Sequence, residues 1–141
     1  MLKRRTRLQR YKTAHLRFGK RGEKIAKKLL KELGSYVLCT NYLGPRGEID
    51  LVAMDGDVIC FVEVKTRKPR ATSRPADAIT AKKKWAIVQT AQHYLKQLND
   101  PRISYRFDVI EVVMTNWRLM ELRYWPSDFT SEEVRRVMRT K

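Results

Sequence analysis

Apolar residues recur along the chain with two periods, one typical of helices and one typical of strands. Ala26, Leu30 and Leu33 follow a helical spacing, and Gly34 supplies a helix stop. Later segments alternate apolar and polar residues or run apolar throughout, as strands do. The predicted helices cover residues 21–33, 78–98 and 131–139. The predicted strands cover residues 36–41, 48–54, 58–65, 104–113 and 117–124.

This order of elements predicts an α/β fold in which helices flank a mixed sheet. With 141 residues the chain is long enough for one domain with a substantial core, and we assign residues 19–141 to it. Residues 1–18 are rich in Lys and Arg and show little apolar periodicity, so they are predicted to form a basic arm.

Charged residues interrupt two apolar strands that form a predicted hairpin. A tight turn at Asp55-Gly56 would place Asp50 opposite Phe61 and Glu48 opposite Glu63. Asp50 and Glu63 would then be diagonal neighbours on one face, with Cβ atoms about 5.5–7 Å apart. Burying unpaired charge is costly, so such groups need a partner or a function. This spacing suits two carboxylates that share one divalent cation.

The net charge predicts a polyanionic partner. Lys and Arg number 31 against 15 Asp and Glu, which gives a formal net charge of +16. Contacts to phosphates with release of counterions would use this excess, so nucleic acid is the first partner to test. The candidate phosphate contacts are Arg21, Arg67, Lys68, Arg70, Arg74, Lys82, Lys83 and Lys84. An acidic protein or an anionic membrane surface is the competing partner.

Other compositional features narrow the class of protein. No apolar run approaches the roughly 18–20 residues of a membrane span. Cys39 and Cys60 lack the spacing of metal ligands, and a reduced, buried Cys60 is the simplest interpretation. A reducing compartment follows, so we expect a cytoplasmic protein. His15 and His93 are too isolated to indicate a histidine-based metal site.

Three strings carry a family resemblance: Arg21-Gly22-Glu23, Gly47-Glu48-Ile49-Asp50-Leu51-Val52 and Phe61-Val62-Glu63-Val64-Lys65-Thr66-Arg67. They resemble the YraN family of endonuclease-like proteins, within the PD-(D/E)xK superfamily, and that family is similar to Holliday-junction resolvases. The resemblance covers residues 19–113 approximately. It implies a restriction-endonuclease-like αβββαβ core and a nuclease acting on DNA, with branched or junction DNA as an expected substrate. A homodimer would suit a two-fold junction.

The resemblance also implies a set of catalytic residues: Glu23, Asp50, Glu63 and Lys65. Mg²⁺ or Mn²⁺ would be held by Asp50 and Glu63, with Glu23 reaching the ion directly or through water. Lys65 would orient or help deprotonate the attacking water, or stabilise charge on the phosphate.

Two alternatives compete with this interpretation of the charged residues. The carboxylates and Lys65 could form a salt-bridge cluster on a half-solvated sheet face, an arrangement that is common and contributes about 0–1 kcal/mol. The protein could also bind DNA or RNA without cleaving it while it retains a nuclease-like fold.

Overall fold

The computed structural model describes residues 7–69 and 79–141, with side chains described from residue 14 onward. Helices and strands alternate along this part of the chain. Their bounds are α1 Arg7–Glu32, β1 Tyr36–Gly44, β2 Gly47–Asp55, β3 Val58–Arg67, α2 Ala81–Leu98, β4 Ser104–Met114, β5 Leu119–Phe129 and α3 Ser131–Arg139.

The described strands form one five-stranded mixed sheet in the order β1-β2-β3-β4-β5. β3 and β4 are parallel, and the other neighbouring pairs are antiparallel. Helix α2 connects the two parallel strands, because parallel neighbours need a crossover. The predicted α/β fold, with its αβββαβ order and flanking helices, is confirmed.

The sheet has a hydrophobic cluster on each face. One cluster includes Ile87 and Val88 of α2 together with Phe61 and Phe107 of the sheet. The other includes Leu30 of α1 with further sheet residues, among them the buried Cys60. Because both faces are covered, β3 is predominantly apolar along its buried length.

Helix α1 ends as predicted but begins earlier. Gly34 has a φ of +90°, Ser35 N–H donates to Leu30 O at 2.9 Å, and Gly34 N–H donates to Lys31 O at 3.0 Å. This pair of bonds closes a helix at a glycine. The predicted start at residue 21 is wrong, since the helix begins at Arg7. The Lys, Arg, Leu and Gln residues before position 21 favour helix even without an apolar stripe. Residues 1–6 of the predicted arm lie outside the described residues.

Other boundaries also differ from the prediction. Strand β1 extends to Gly44 rather than to residue 41, β3 extends to Arg67 rather than to residue 65, and β5 begins at Leu119 rather than at residue 117. Helix α2 begins at Ala81, and the side chain of Thr80 caps it by accepting a bond from Lys83 N–H at 3.1 Å. Residue 78, the predicted start, lies outside the described residues. Strand β5 extends to Phe129 rather than to residue 124. Phe129 stacks on Phe107 with ring centroids 5.0 Å apart, so packing extends the strand through a segment that has weak strand signals.

Candidate functional site

The β2–β3 hairpin has a register two positions away from the predicted one. Asp55 pairs with Val58 and Leu51 pairs with Val62, so the turn residues are Gly56 and Asp57. Gly56 has a φ of +57°, which a glycine adopts easily. The predicted pairing of Asp50 with Phe61 is therefore wrong. An even shift keeps the paired side chains on their faces, and the pairing runs as far as Leu51 and Val62, the residues next to Asp50 and Glu63.

Asp50 lies at an irregular point of β2. Ile49 and Leu51 are two residues apart and would normally share a face, yet they belong to the clusters on opposite sides of the sheet. The Val64 N–H donates to Asp50 Oδ2 at 2.8 Å. The backbone of β3 therefore fixes the Asp50 carboxylate beside Glu63.

The Asp50–Glu63 carboxylate pair is half-buried, and each carboxylate makes ionisation of the other less favourable. Burial, followed by the charge of Asp50, raises the pKa of Glu63 to about 8. Burial also raises the pKa of Asp50, although the hydrogen bond from Val64 acts in the opposite direction. Two carboxylates at one site disfavour double ionisation, so a cation would stabilise the charged pair.

The donor set fits a divalent cation. Glu63 Oε2 is buried and has no hydrogen-bond partner among the described residues. A buried oxygen of this kind is costly unless it is paired or binds a cation. Facing carboxylates supply the hard oxygen ligands that Mg²⁺ and Mn²⁺ prefer.

The lysine in contact with this pair comes from α2. Lys83 Nζ lies 3.6 Å from Glu63 Oε1. Lys65 is half-buried and two residues after Glu63, but it forms no ion pair with either carboxylate in the described part of the protein. Strand alternation keeps Lys65 on the Glu63 face. Its predicted catalytic role stays a prediction.

Gly22 brings α1, and with it Glu23, close to the sheet. A Cβ atom at Gly22 would overlap the side chain of Thr66 on β3. Burial, followed by the charge of Asp50, raises the pKa of Glu23. Glu23 therefore lies within electrostatic reach of the Asp50–Glu63 pair.

Asn41 on β1 links Glu23 to Glu48, and sequence reasoning missed it. With its amide nitrogen facing the carboxylates, Asn41 donates to Glu23 Oε2 at 3.2 Å and to Glu48 Oε1 at 2.8 Å. Its backbone is left-handed, with a φ of 52°. Asn tolerates this conformation better than most residues. An Asn at the end of the predicted β1 was therefore the sequence signal for a left-handed residue at this position.

The described residues do not hold a preformed three-ligand metal cluster. Nowhere in residues 7–69 and 79–141 do three His, Cys, Asp or Glu side chains converge closely enough to hold an ion. The structure brings together Asp50 and Glu63, with Glu23 further away at the edge of the site. The predicted participation of Glu23 as a ligand stays a prediction.

The predicted phosphate contacts differ in their surroundings. Arg67 pairs with the buried Glu111, and its side chain is only 11% exposed. Lys84 lies over the Phe129 ring, 5.1 Å from the centroid. The exposed members are Arg21, Lys68, Lys82 and Lys83. Arg70 and Arg74 lie outside the described residues.

Asp108, in the middle of β4, has a structural role. Although it is fully buried, it accepts hydrogen bonds from Arg106 Nε, Tyr124 Oη and Ser127 N. These bonds fix β5 against β4, including the residue after Pro126 where the φ is 53°.

No helix in the described part of the chain is both long and apolar enough to cross a bilayer.

The fold and site define an α/β protein whose mixed sheet holds a half-buried carboxylate pair. Residues 22–112 match the family described as Uncharacterised protein family UPF0102, and the chain belongs to this family of YraN-like proteins. The chain is 45% identical over 95 residues to a UPF0102 protein of Chlorobaculum parvum, covering 67% of this chain and 74% of that protein. It is 38% identical over 108 residues to a UPF0102 protein of Chlorobium phaeobacteroides, covering 74% of this chain and 86% of that protein. A UPF0102 protein of Clostridium kluyveri is 36% identical over 99 residues, covering 70% of this chain and 81% of that protein.

Proposed function

We propose that this protein is a Mg²⁺- or Mn²⁺-dependent nuclease of the PD-(D/E)xK superfamily that hydrolyses phosphodiester bonds in DNA. The observation that carries this proposal is the half-buried Asp50–Glu63 pair, in which Glu63 Oε2 has no hydrogen-bond partner among the residues that the structure describes. The αβββαβ core and the net charge of +16 support it. Branched or junction DNA is the proposed substrate structure, by resemblance to the family.

Asp50 and Glu63 would hold the cation, with Glu23 contributing from the edge of the site. A divalent cation in such a site polarises a phosphoryl oxygen and lowers the pKa of a bound water. Val64 N–H keeps the Asp50 carboxylate in one orientation. Lys65, on the Glu63 face, would position the attacking water or stabilise negative charge on the phosphate.

The test combines cation binding with cleavage. Mn²⁺ and Mg²⁺ binding is measured by calorimetry on the full chain and on Asp50→Asn and Glu63→Gln variants, and cleavage is followed on duplex, flap and four-way-junction DNA. We expect both variants to lose cation binding and cleavage while they retain most of their DNA affinity. Wild-type cleavage by either folded variant would disprove the catalytic assignment.

A non-catalytic nucleic-acid-binding protein is the second candidate. Two observations favour it: no three-ligand cluster forms among the described residues, and Lys83 already contacts Glu63. A lysine that permanently neutralised Glu63 would remove the need for a cation. DNA or RNA binding without cation-dependent cleavage, on all the substrates above, would support this alternative.

A further inference from the structure

We infer that Lys83 is an exchangeable counterion of the site: it leaves Glu63 when a divalent cation binds and then contacts the phosphate of the bound nucleic acid. This inference rests on the proposed cation site, and it adds a reason why cation binding and nucleic-acid binding would be coupled.

The contact between Lys83 and Glu63 is asymmetric. The Lys83 side chain is 49% exposed, whereas that of Glu63 is 13% exposed. Lysine carries its ammonium on a flexible four-carbon stem, so Lys83 can turn into solvent at little cost. Glu63 is fixed in a buried strand and cannot follow.

The contact is also incomplete. Nζ and Oε1 are 3.6 Å apart, which is longer than a normal charged hydrogen bond. The second oxygen, Oε2, remains without a partner among the described residues. A single ammonium therefore neutralises part of the Asp50–Glu63 pair, and a divalent cation would complete the neutralisation.

The neighbouring lysines do not share this arrangement. Lys84 lies over the ring of Phe129, and Lys82 is exposed. Lys83 alone of the three contacts a site carboxylate in the described part of the chain. A released Lys83 would remain next to the cation site, where a scissile phosphate would lie. There its charge would attract the substrate, and the cation would take over the neutralisation of Glu63.

The arrangement gives Lys83 two opposite effects. Without nucleic acid it competes with the cation for Glu63, so it weakens cation binding. With nucleic acid it becomes a phosphate contact, so it strengthens the complex when the cation is present. A purely structural salt bridge would produce neither effect in this combination.

The experiment compares Lys83→Met with Lys82→Met, which removes a charge from the adjacent, exposed position. Mn²⁺ binding is measured by calorimetry on all three proteins at the same pH and ionic strength, because protons and salt both change the apparent affinity for the cation. We expect Lys83→Met to bind Mn²⁺ roughly threefold to tenfold more tightly than the wild type. Lys82→Met should bind Mn²⁺ with wild-type affinity, and as a candidate phosphate contact it should change only the affinity for DNA. Circular dichroism confirms that both variants are folded.

A second measurement follows the affinity for a short fluorescent DNA duplex with and without Ca²⁺, which also prefers oxygen ligands. The wild type and Lys82→Met should gain affinity with Ca²⁺. Lys83→Met should gain less, because only the cation and not a released lysine then contacts the phosphate. A full gain in Lys83→Met would overturn the transfer to phosphate.

The calorimetric outcomes separate this inference from the proposed function. Equal Mn²⁺ affinity in the wild type and Lys83→Met would overturn the exchange of Lys83 and leave the cation site standing. Binding by Lys83→Met alone would support the exchange strongly. Absence of binding in both proteins, repeated with the duplex present, would overturn the cation site and the inference together.

Discussion

Glu63 links the stability of the protein to pH. Its pKa is about 8 in the folded protein against an ordinary value of 4.5, so the folded state binds more protons than the unfolded state between these values. Stability therefore falls as the pH rises from about 4.5 to about 8. We expect a loss of a few kcal/mol, and at most about 5 kcal/mol, in the free energy of unfolding across this window, because one pKa unit corresponds to about 1.4 kcal/mol. Urea denaturation at several pH values measures it.

Glu63→Gln provides the control, because the amide keeps the shape of the side chain and does not ionise. Its free energy of unfolding should depend less on pH between about 5 and 8 than that of the wild type. The variant should be the more stable protein at the alkaline end of the window. Parallel curves for the two proteins would show that Glu63 does not titrate in this range.

Asn41 affects the ionisation of Glu23 through its amide. Because the Asn41 hydrogen bond lowers the pKa of Glu23, we expect the pKa of Glu23 to rise in Asn41→Gly, measured by NMR titration of the side-chain carboxyl. Glycine keeps the left-handed backbone, so the backbone should not change. Asn41→Asp should raise the Glu23 pKa further by adding a negative charge. An unchanged titration in both variants would mean that the amide does not contact Glu23.

The close contact between α1 and β3 depends on Gly22. A methyl group at this position would collide with Thr66, so we expect Gly22→Ala to lower the free energy of unfolding by roughly 1–3 kcal/mol. Gly19, one turn earlier in the same helix, has open space where its Cβ would be. Gly19→Ala should therefore stabilise the protein by about 0.5–1 kcal/mol through helix propensity. Thermal and urea unfolding measure both changes.

A further variant tests the cause of the effect at Gly22. Adding Thr66→Ala removes the hydroxyl and methyl groups nearest to the new Cβ, so Gly22→Ala, Thr66→Ala should recover part of the lost stability. If Gly22→Ala and Gly19→Ala gave the same change, helix propensity alone would determine stability at both positions. The helix would then not depend on close contact with β3.

The hairpin shows what local sequence can predict at the level of elements. The apolar alternation of β2 and β3 predicted both strands and the shared face of Asp50 and Glu63. The turn was predicted one residue too early, because Asp55-Gly56 and Gly56-Asp57 are similar turn signals. This error changes the partner of every residue in the hairpin by two positions. The conclusion survived because the resulting shift in register was even, and an odd shift would have separated the carboxylates.

Long-range contacts were less accessible from sequence. That α2 covers one face of the sheet follows from the crossover rule, but the choice of Lys83 from a run of three lysines depends on the rotation of the helix. The contact of Asn41 with Glu23 likewise depends on where α1 lies relative to β1. The missed parts of the site are those in which two separate elements decide where a side chain lies.

Positive charge across the whole molecule should make nucleic-acid binding strongly dependent on salt. For duplex DNA the logarithm of the binding constant falls with the logarithm of salt concentration by about 0.9 per phosphate contact. Lys68 is exposed, so we expect Lys68→Met to make this slope shallower by roughly one unit and to leave stability unchanged. Arg67 is the matched contrast, because its guanidinium is engaged by Glu111 inside the protein.

Replacing Arg67 with Met leaves Glu111, which is 7% exposed, with Arg123 as its remaining ion-pair partner in the described residues. We expect Arg67→Met to destabilise the fold while the salt slope stays close to the wild-type value, because an internally paired charge releases no counterion on binding. Fluorescence anisotropy over a salt series gives the slope, and urea unfolding gives the stability. A slope shallower by one unit in Arg67→Met would show that Arg67 exchanges Glu111 for a phosphate.

Salt-dependent binding to anionic vesicles but not to duplex DNA would assign the positive surface to membranes instead.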